Sequence, residues 1–307
     1  MASASRGLEV GEVTLPAHLR VALFDRALTH ARLRKKERDG FGGVHGGRLG
    51  LAVGKANVTT SFNAGLLLHA ILACPFDLVK TVTNSKQWDG GKWLCGASYL
   101  NRLRPCVVYS IGSNFDASFE QNLQQRVRSQ SGRGCDVHIY DPTLRSRRGA
   151  RKLARFIDEL NASGIGTLHE VGLSTDVSPH VELNGERLPA QTLEQMVASN
   201  GDHCVDVLKI DVDGAERHTL RRTSWRGLCV GMLLLEHHGG LMATDTGQPY
   251  RVSDVLEDVR ILERAGFLLY SSEMVCARCW GQSELAFINV SWARSLVELG
   301  PRSRTRT

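Results

Sequence analysis

Two acids placed directly after apolar runs are the first residues in this chain that could do chemistry. Lys209-Ile210-Asp211-Val212-Asp213-Gly214-Ala215-Glu216 sets three carboxylates within six positions beside a glycine, and Asp211 follows an apolar stretch without a gap. Farther on, the apolar run 230–235 ends in Glu236-His237-His238. If the two runs are neighbouring strands, Asp211 and Glu236 face one another across a cleft. A carboxylate or the His237 imidazole there could act as general base or position an acceptor. The same acids could hold a divalent ion. A solvated loop and a merely hydrogen-bonded histidine are the plain alternatives, and no metal ligand is assigned.

A second set of residues suits a nucleotide. Ser110-Ile111-Gly112-Ser113-Asn114 closes an apolar strand on a glycine, which lets the backbone turn sharply and a ligand come close. The helix that follows offers free N–H groups and a positive dipole end. About 30 residues on, as suits one β-α-β unit, Asp141 ends the next strand. An acid there can accept both hydroxyls of a ribose, or can simply be a turn aspartate before Pro142. Gly172-Leu173-Ser174, after a third strand, leaves a small surface that could pack beside a planar base.

Elements must position these residues, and the apolar pattern supplies them. Strands are expected at 106–111, 137–140, 168–171, 205–210 and 230–235, alternating with helices. Phe119, Leu123 and Val127 mark the first helix, with Ser118 and Gln121 spaced as a capping box. Leu153, Phe156, Ile157 and Leu160 mark the second. Helices also fit 192–198, where Thr192 and Gln195 form another box, 215–220, and the stretch of Val255, Leu256, Val259 and Leu262. Runs 267–270 and 285–289 have no clear helix between them and can pair antiparallel. Alternation of this kind implies a doubly wound, mostly parallel α/β sheet with an antiparallel C-terminal strand. Before it, Val21, Phe24 and Leu28 suit one helical face, 59–78 a second helix, and 88–95 a turn. The division expected is a partly helical lead-in or cap at 1–100, a domain at 101–295 and a basic tail at 296–307.

Composition bounds the partners. No apolar run in the 307 residues approaches the roughly 20 that span a bilayer; the longest, 64–74, is about half that. The first residues lack the apolar core of a signal peptide, so the compartment is open: cytoplasmic by default, secretory if the N-terminus is truncated. A net charge of +6 permits an acidic partner without demanding nucleic acid. Eight cysteines are too few for a disulfide scaffold. Cys106, Cys204 and Cys229 read as small core residues, and Cys276 and Cys279 form a C-x-x-C with no second pair to complete a zinc ribbon.

With those residues in view, VVYSIGSNFDASFE, HIYDPT, HEVGLS, DVLKIDVDGAE, LLLEHH and ELAFIN follow one another in an order that resembles the FkbM-like methyltransferase family, closest to the methyltransferase-like protein 24 group. The resemblance implies a class I methyltransferase (Rossmann-like) fold with S-adenosylmethionine as methyl donor. It implies Ser110, Gly112, Ser113 and Asn114 at the methionine part of the cofactor, Asp141 at the ribose, and Gly172 and Leu173 beside the base. Asp211 would lie near donor and acceptor, with Glu236 and His237 next to it. It further implies methylation of a hydroxyl on a small-molecule or glycan-like acceptor. Three positions depart from the family pattern: Ser110 where many members carry an acid, Asp116 where a third glycine often stands, and Asp213 in place of the commoner glutamate. The rival readings are a metal-dependent glycosyltransferase using Asp211-Val212-Asp213, a non-catalytic binding protein on the same fold, which Ser110 favours, and a nicotinamide dehydrogenase, disfavoured by the missing G-x-G-x-x-G.

Overall fold

The structure is a computed structural model that describes residues 70–81, 91–102, 104–146, 150–174, 178–183, 185–212, 215–238, 252–275 and 282–298. The expected helical stretches up to residue 69, Asp213, Cys276, Cys279 and residues 299–307 of the basic tail lie outside these residues.

Five apolar runs become the parallel strands β3 (Val107–Ile111), β4 (Asp136–Tyr140), β5 (Thr167–His169), β9 (Val205–Ile210) and β10 (Val230–His238). Every residue of β3, β9 and β10 is buried, as a sheet covered on both faces requires. The strands β11 (Phe267–Met274) and β12 (Gln282–Asn289) complete a seven-stranded sheet in the order β11-β12-β10-β9-β3-β4-β5. The strand β12 runs antiparallel to both its neighbours, as the absence of a helix between 270 and 285 predicts.

Side chains alternate along each strand, so each face of the sheet has its own core. One core joins Val108, Val137, Val207, Met232 and Leu234 to α1 (Ser118–Ser131), α2 (Ala150–Ser163) and α6 (Val290–Glu298). The other joins Tyr109, Ile111, Leu208, Ile210, Leu233 and Leu235 to α3 (Leu193–Asn200), α4 (Glu216–Arg222) and α5 (Val252–Arg264). The fold is thus a doubly wound, class I methyltransferase-type α/β sheet. Its chain runs outward from β3 to β5 and then returns to β9 on the other side of β3. The tips of β3 and β9 therefore flank the switch point, where such sheets bind ligands.

Several local expectations change. Residues 70–77 form no helix, and β1 (Leu78–Lys80) pairs antiparallel with β2 (Trp93–Cys95) where a turn was predicted. This hairpin packs on the main sheet: the Tyr270 hydroxyl donates to the Trp93 carbonyl at 2.6 Å. Ser118 is not an N-cap: Ala117 holds that position without a side-chain cap, and Asp116 Oδ1 accepts from the Ser118 N–H at 2.8 Å. The box of Thr192 and Gln195 is present. A small three-stranded sheet, β6 (Gly172–Leu173), β8 (Glu186–Gln191) and β7 (His180–Leu183), was not legible beforehand.

The cysteines are the largest correction. Cys74–Cys95, Cys106–Cys135 and Cys204–Cys229 are disulfides, and no cysteine among the described residues is free. Cys106, Cys135, Cys204 and Cys229 each precede a strand by one residue. The latter two bridges therefore staple the amino ends of β3 to β4 and of β9 to β10, across Cα separations of 4.7 and 4.5 Å. Adjacent parallel strands bring such positions within disulfide range. Cys229 is an exposed half of a bridge, not a core residue.

Candidate active site

The site grows from the bend after β3. Gly112 has φ of +87°, and a Cβ there would lie 1.7 Å from the Asp211 carbonyl oxygen, so only glycine lets the two strand tips meet. The Asp211 N–H donates to the Ile111 carbonyl at 3.0 Å. Asn114 and Phe115 also take positive φ, which folds the bend tightly over Asp141.

Asp141 binds this bend. Its Oδ2 accepts from Ser113 N–H (3.0 Å), Ser113 Oγ (3.0 Å) and Asn114 N–H (2.8 Å). Its Oδ1 accepts from Thr143 N–H (2.9 Å) and Thr143 Oγ1 (2.5 Å). Two of the five donors are side-chain hydroxyls. Gly172 packs against Pro142, next to Asp141, while the Leu173 side chain is buried in the second core. Ser110 is fully buried beneath the bend, beside Lys209 in the strand register.

Asp211 and Glu236 do come together. Ile210 pairs with Leu235, so the next residues of β9 and β10 stand side by side. Sequence reasoning missed what holds them: the buried ammonium of Lys92, carried in by the hairpin. Lys92 Nζ lies 2.5 Å from Glu284 Oε1, 3.3 Å from Glu236 Oε2 and 3.5 Å from Asp211 Oδ2. Lys209 Nζ adds a contact at 3.3 Å to Asp211 Oδ2 and donates to the Gly112 carbonyl at 2.5 Å. Glu284 faces Glu236 directly across the β10–β12 pair.

His237 does not join this group. Alternation puts it on the α4 side of the sheet, opposite to Glu236. His238 returns to the Glu236 side, with Nε2 3.7 Å from Glu236 Oε1 and Nδ1 3.0 Å from Glu216 Oε1. Glu216 also accepts from the Val212 N–H at 3.0 Å, so it ties the β9 loop to β10.

The electrostatics follow from burial and neighbours. Burial raises the Glu236 pKa to about 8, with Asp211 and Glu284 adding to the effect against Lys92. Burial likewise lifts Glu284 to about 7. Burial opposes ionisation of Asp211 too, but Lys209 and Lys92 overcome it and hold its carboxyl well below the usual range. Burial disfavours the charge of Lys92, yet Glu284, Asp211 and Glu236 keep it firmly protonated. Burial pulls on His238 as well, but the Glu216 bond and charge raise it to about 9, while burial lowers His237 to about 4. The cleft thus holds an ionised, 23%-exposed Asp211 beside buried carboxyls that keep their protons near neutrality.

Known proteins bear on this arrangement. Residues 71–289 match the family described as "Methyltransferase domain", a match that starts inside the stretch expected to be a lead-in. A probable methyltransferase-like protein 24 of Rattus norvegicus is 25% identical over 169 residues, covering 51% of this chain and 42% of that protein. Among solved structures, a fibrillarin pre-rRNA processing protein of Methanococcus jannaschii shares 14% identity at a TM-score of 0.39, covering 60% of this chain and 66% of its own. Methyltransferase FkbM of Methylobacillus flagellatus shares 14% identity at 0.39, covering 62% and 47%. Magnesium protoporphyrin IX methyltransferase of Synechocystis, with bound SAM, shares 16% at 0.34, covering 61% and 72%. Scores this low carry no weight. The domain match, spanning well over half of the chain, does, and it agrees with the FkbM-like expectation. This chain belongs to the methyltransferase-domain family.

Proposed function

We propose that the protein is an S-adenosylmethionine-dependent methyltransferase that methylates a hydroxyl of a small-molecule or glycan-like acceptor. The observation that carries this is the placement of Asp211 beside Glu236 at the switch point, both within 3.5 Å of the Lys92 ammonium and next to the Gly112 bend. Residues present fit a cationic, ribose-bearing donor. Asp211 offers negative charge to the cleft. The Ser113 and Thr143 hydroxyls on Asp141 occupy the two bonds a ribose diol would take, so a like-for-like exchange frees the carboxylate for it. Gly112, Ser113 and Asn114 would shape the methionine end, with Ser110 packed beneath them, and Gly172 would line the base, with Leu173 backing it from the core.

The donor, when bound, supplies an already activated methyl group, so this chain's residues need chiefly to align and desolvate. Asp211 would orient the acceptor hydroxyl, with Glu236 beside it. Two ammonium groups within 3.5 Å of Asp211 Oδ2 make that carboxylate a poor metal ligand, which weighs against the glycosyltransferase reading. Calorimetry with S-adenosylmethionine and S-adenosylhomocysteine tests the reading. Saturable binding of both is expected, and binding of neither overturns it. Unchanged turnover by Asp211→Asn on a true acceptor would remove that residue from the mechanism.

Three disulfides support residence in an oxidising compartment, since such bridges rarely persist against cytosolic reductants. No helix among the described residues is long and apolar enough to cross a membrane. Alkylation of the natively expressed, denatured protein should leave those six cysteines unlabelled until reduction; labelling without reductant would refute the placement.

A further inference from the structure

Six charged side chains form a row across one face of the sheet, above the first core. Strand register sets Lys209 beside Ser110, Asp211 beside Glu236, and Glu236 beside Glu284. From α1, Glu120 is buried close to Ser110 and Lys209, and the hairpin adds Lys92. The row holds four carboxylates and two ammonium groups. Five of the six are almost wholly enclosed; Asp211 alone opens on the cleft. Glu284 Oε2, also enclosed, has no hydrogen-bond partner among the described residues.

Fully ionised, the row would carry a surplus of two negative charges where water is excluded, an arrangement that desolvation makes very costly. Protons therefore remain on it near neutrality, and the raised values of Glu236, Glu284 and Glu120 agree. The groups facing Glu236 are Asp211 and Lys209 from β9, Lys92 from β2, Glu284 from β12 and His238 on its own strand, itself backed by Glu216 of α4. The two ammonium groups are already counted, and the charge of His238 is matched by Glu216 at 3.0 Å, so the surplus stands. A sulfonium supplies the missing positive charge, and it loses that charge when it gives up its methyl group.

We infer that the row exchanges a proton for the charge of the methyl donor, releasing one when a sulfonium enters the cleft and recovering one from the acceptor hydroxyl during transfer. The inference rests on the donor reading above and assigns the base. In the transfer step an oxygen lone pair forms the new C–O bond, the C–S bond breaks, and its electrons stay on sulfur. The hydroxyl proton passes to the carboxylate that the donor's arrival had freed. Product thioether is neutral and the row is protonated again, so the charges balance at each stage. The row is consequently a base only while the donor is in place.

Calorimetry of S-adenosylmethionine and S-adenosylhomocysteine in phosphate and in Tris, at about pH 7.5, counts protons through the difference in buffer ionisation heats. About one proton should be released with the sulfonium and none with the thioether. Affinity for S-adenosylmethionine should rise up to about tenfold per pH unit between about pH 6.5 and 7.5, with that for S-adenosylhomocysteine flat. Glu236→Gln should abolish the release, and Glu284→Gln serves if that variant does not fold. Equal proton release by the two ligands overturns the inference while leaving the donor reading intact; binding of neither overturns both.

Discussion

The two ends of the parallel sheet treat a buried carboxylate in opposite ways. At the amino end, Asp206 is 5% exposed and every bond it makes is short. It accepts two from Arg104, at 2.8 and 2.9 Å, one from the Val107 N–H at 2.9 Å and one from Trp292 Nε1 at 2.9 Å. Burial still lifts its pKa against those donors. Asp206, Arg104 and Trp292, with Trp225 and the Cys204–Cys229 bridge, line a groove of about 560 Å³. At the carboxyl end, Asp211, Glu236 and Glu284 share Lys92, two of them through contacts of 3.3 and 3.5 Å. A satisfied acid fixes architecture; under-supplied acids keep protons they can exchange. The groove at the amino end is therefore lined by acids and bridges that hold the fold, whereas the charged cleft at the carboxyl end carries the under-supplied acids.

Four variants would break or sharpen this contrast. The largest effect is expected of Lys92→Met, which leaves three buried carboxylates without their shared cation and should cost about 3–5 kcal/mol in urea unfolding; a loss under about 1 kcal/mol would mean the row is not held by Lys92. Next, removing the Cys204–Cys229 bridge by paired serine substitution opens a closure of 25 residues and should cost about 3 kcal/mol, with donor binding unchanged in calorimetry. Asp206→Asn should cost about 2 kcal/mol through lost charge-assisted bonds and, again, leave binding unchanged. If either amino-end change altered donor affinity more than twofold, the two ends would not be independent.

The smallest effect at neutral pH is that of Glu236→Gln, and its signature is pH dependence. Glu236 and Glu284 bind protons more tightly folded, at about 8 and 7, than at their ordinary 4.5, and His238 at about 9 against 6.5. A raised folded value stabilises at low pH and is lost as pH climbs through it. The unfolding free energy should therefore fall from about pH 4.5, where the unfolded carboxyls titrate, to about pH 9, and Glu236→Gln should flatten that fall below about pH 8. A profile identical to the parent protein's would place the titrating group elsewhere.

Much of this was legible in residue order. Continuous apolar runs such as Val107–Ile111 and Val205–Ile210 announced strands buried on both faces, and the rule that ligands lie beyond strand tips located Asp211 and Glu236. Lys92 was not legible. It lies 119 residues before Asp211, next to a three-residue strand too short to show a period. Glu284 was hidden inside an apolar run whose second face only the antiparallel register reveals. The choice of His238 over His237 depends on the alternation of β10 continuing past Leu235, where an apolar count stops. The disulfides had one faint signal, a cysteine just before each of four strands, but pairing them needs the strand order.

The hairpin that delivers Lys92 has a consequence for how such folds diversify. The ammonium that neutralises the cleft arrives from a segment outside the seven-stranded sheet, so the electrical character of the cleft is modular. A descendant that shed those few residues would keep the same strands, the same bend at Gly112 and the same acids. Its Asp211 would keep Lys209 alone, and Glu236 and Glu284 would hold their protons to still higher pH.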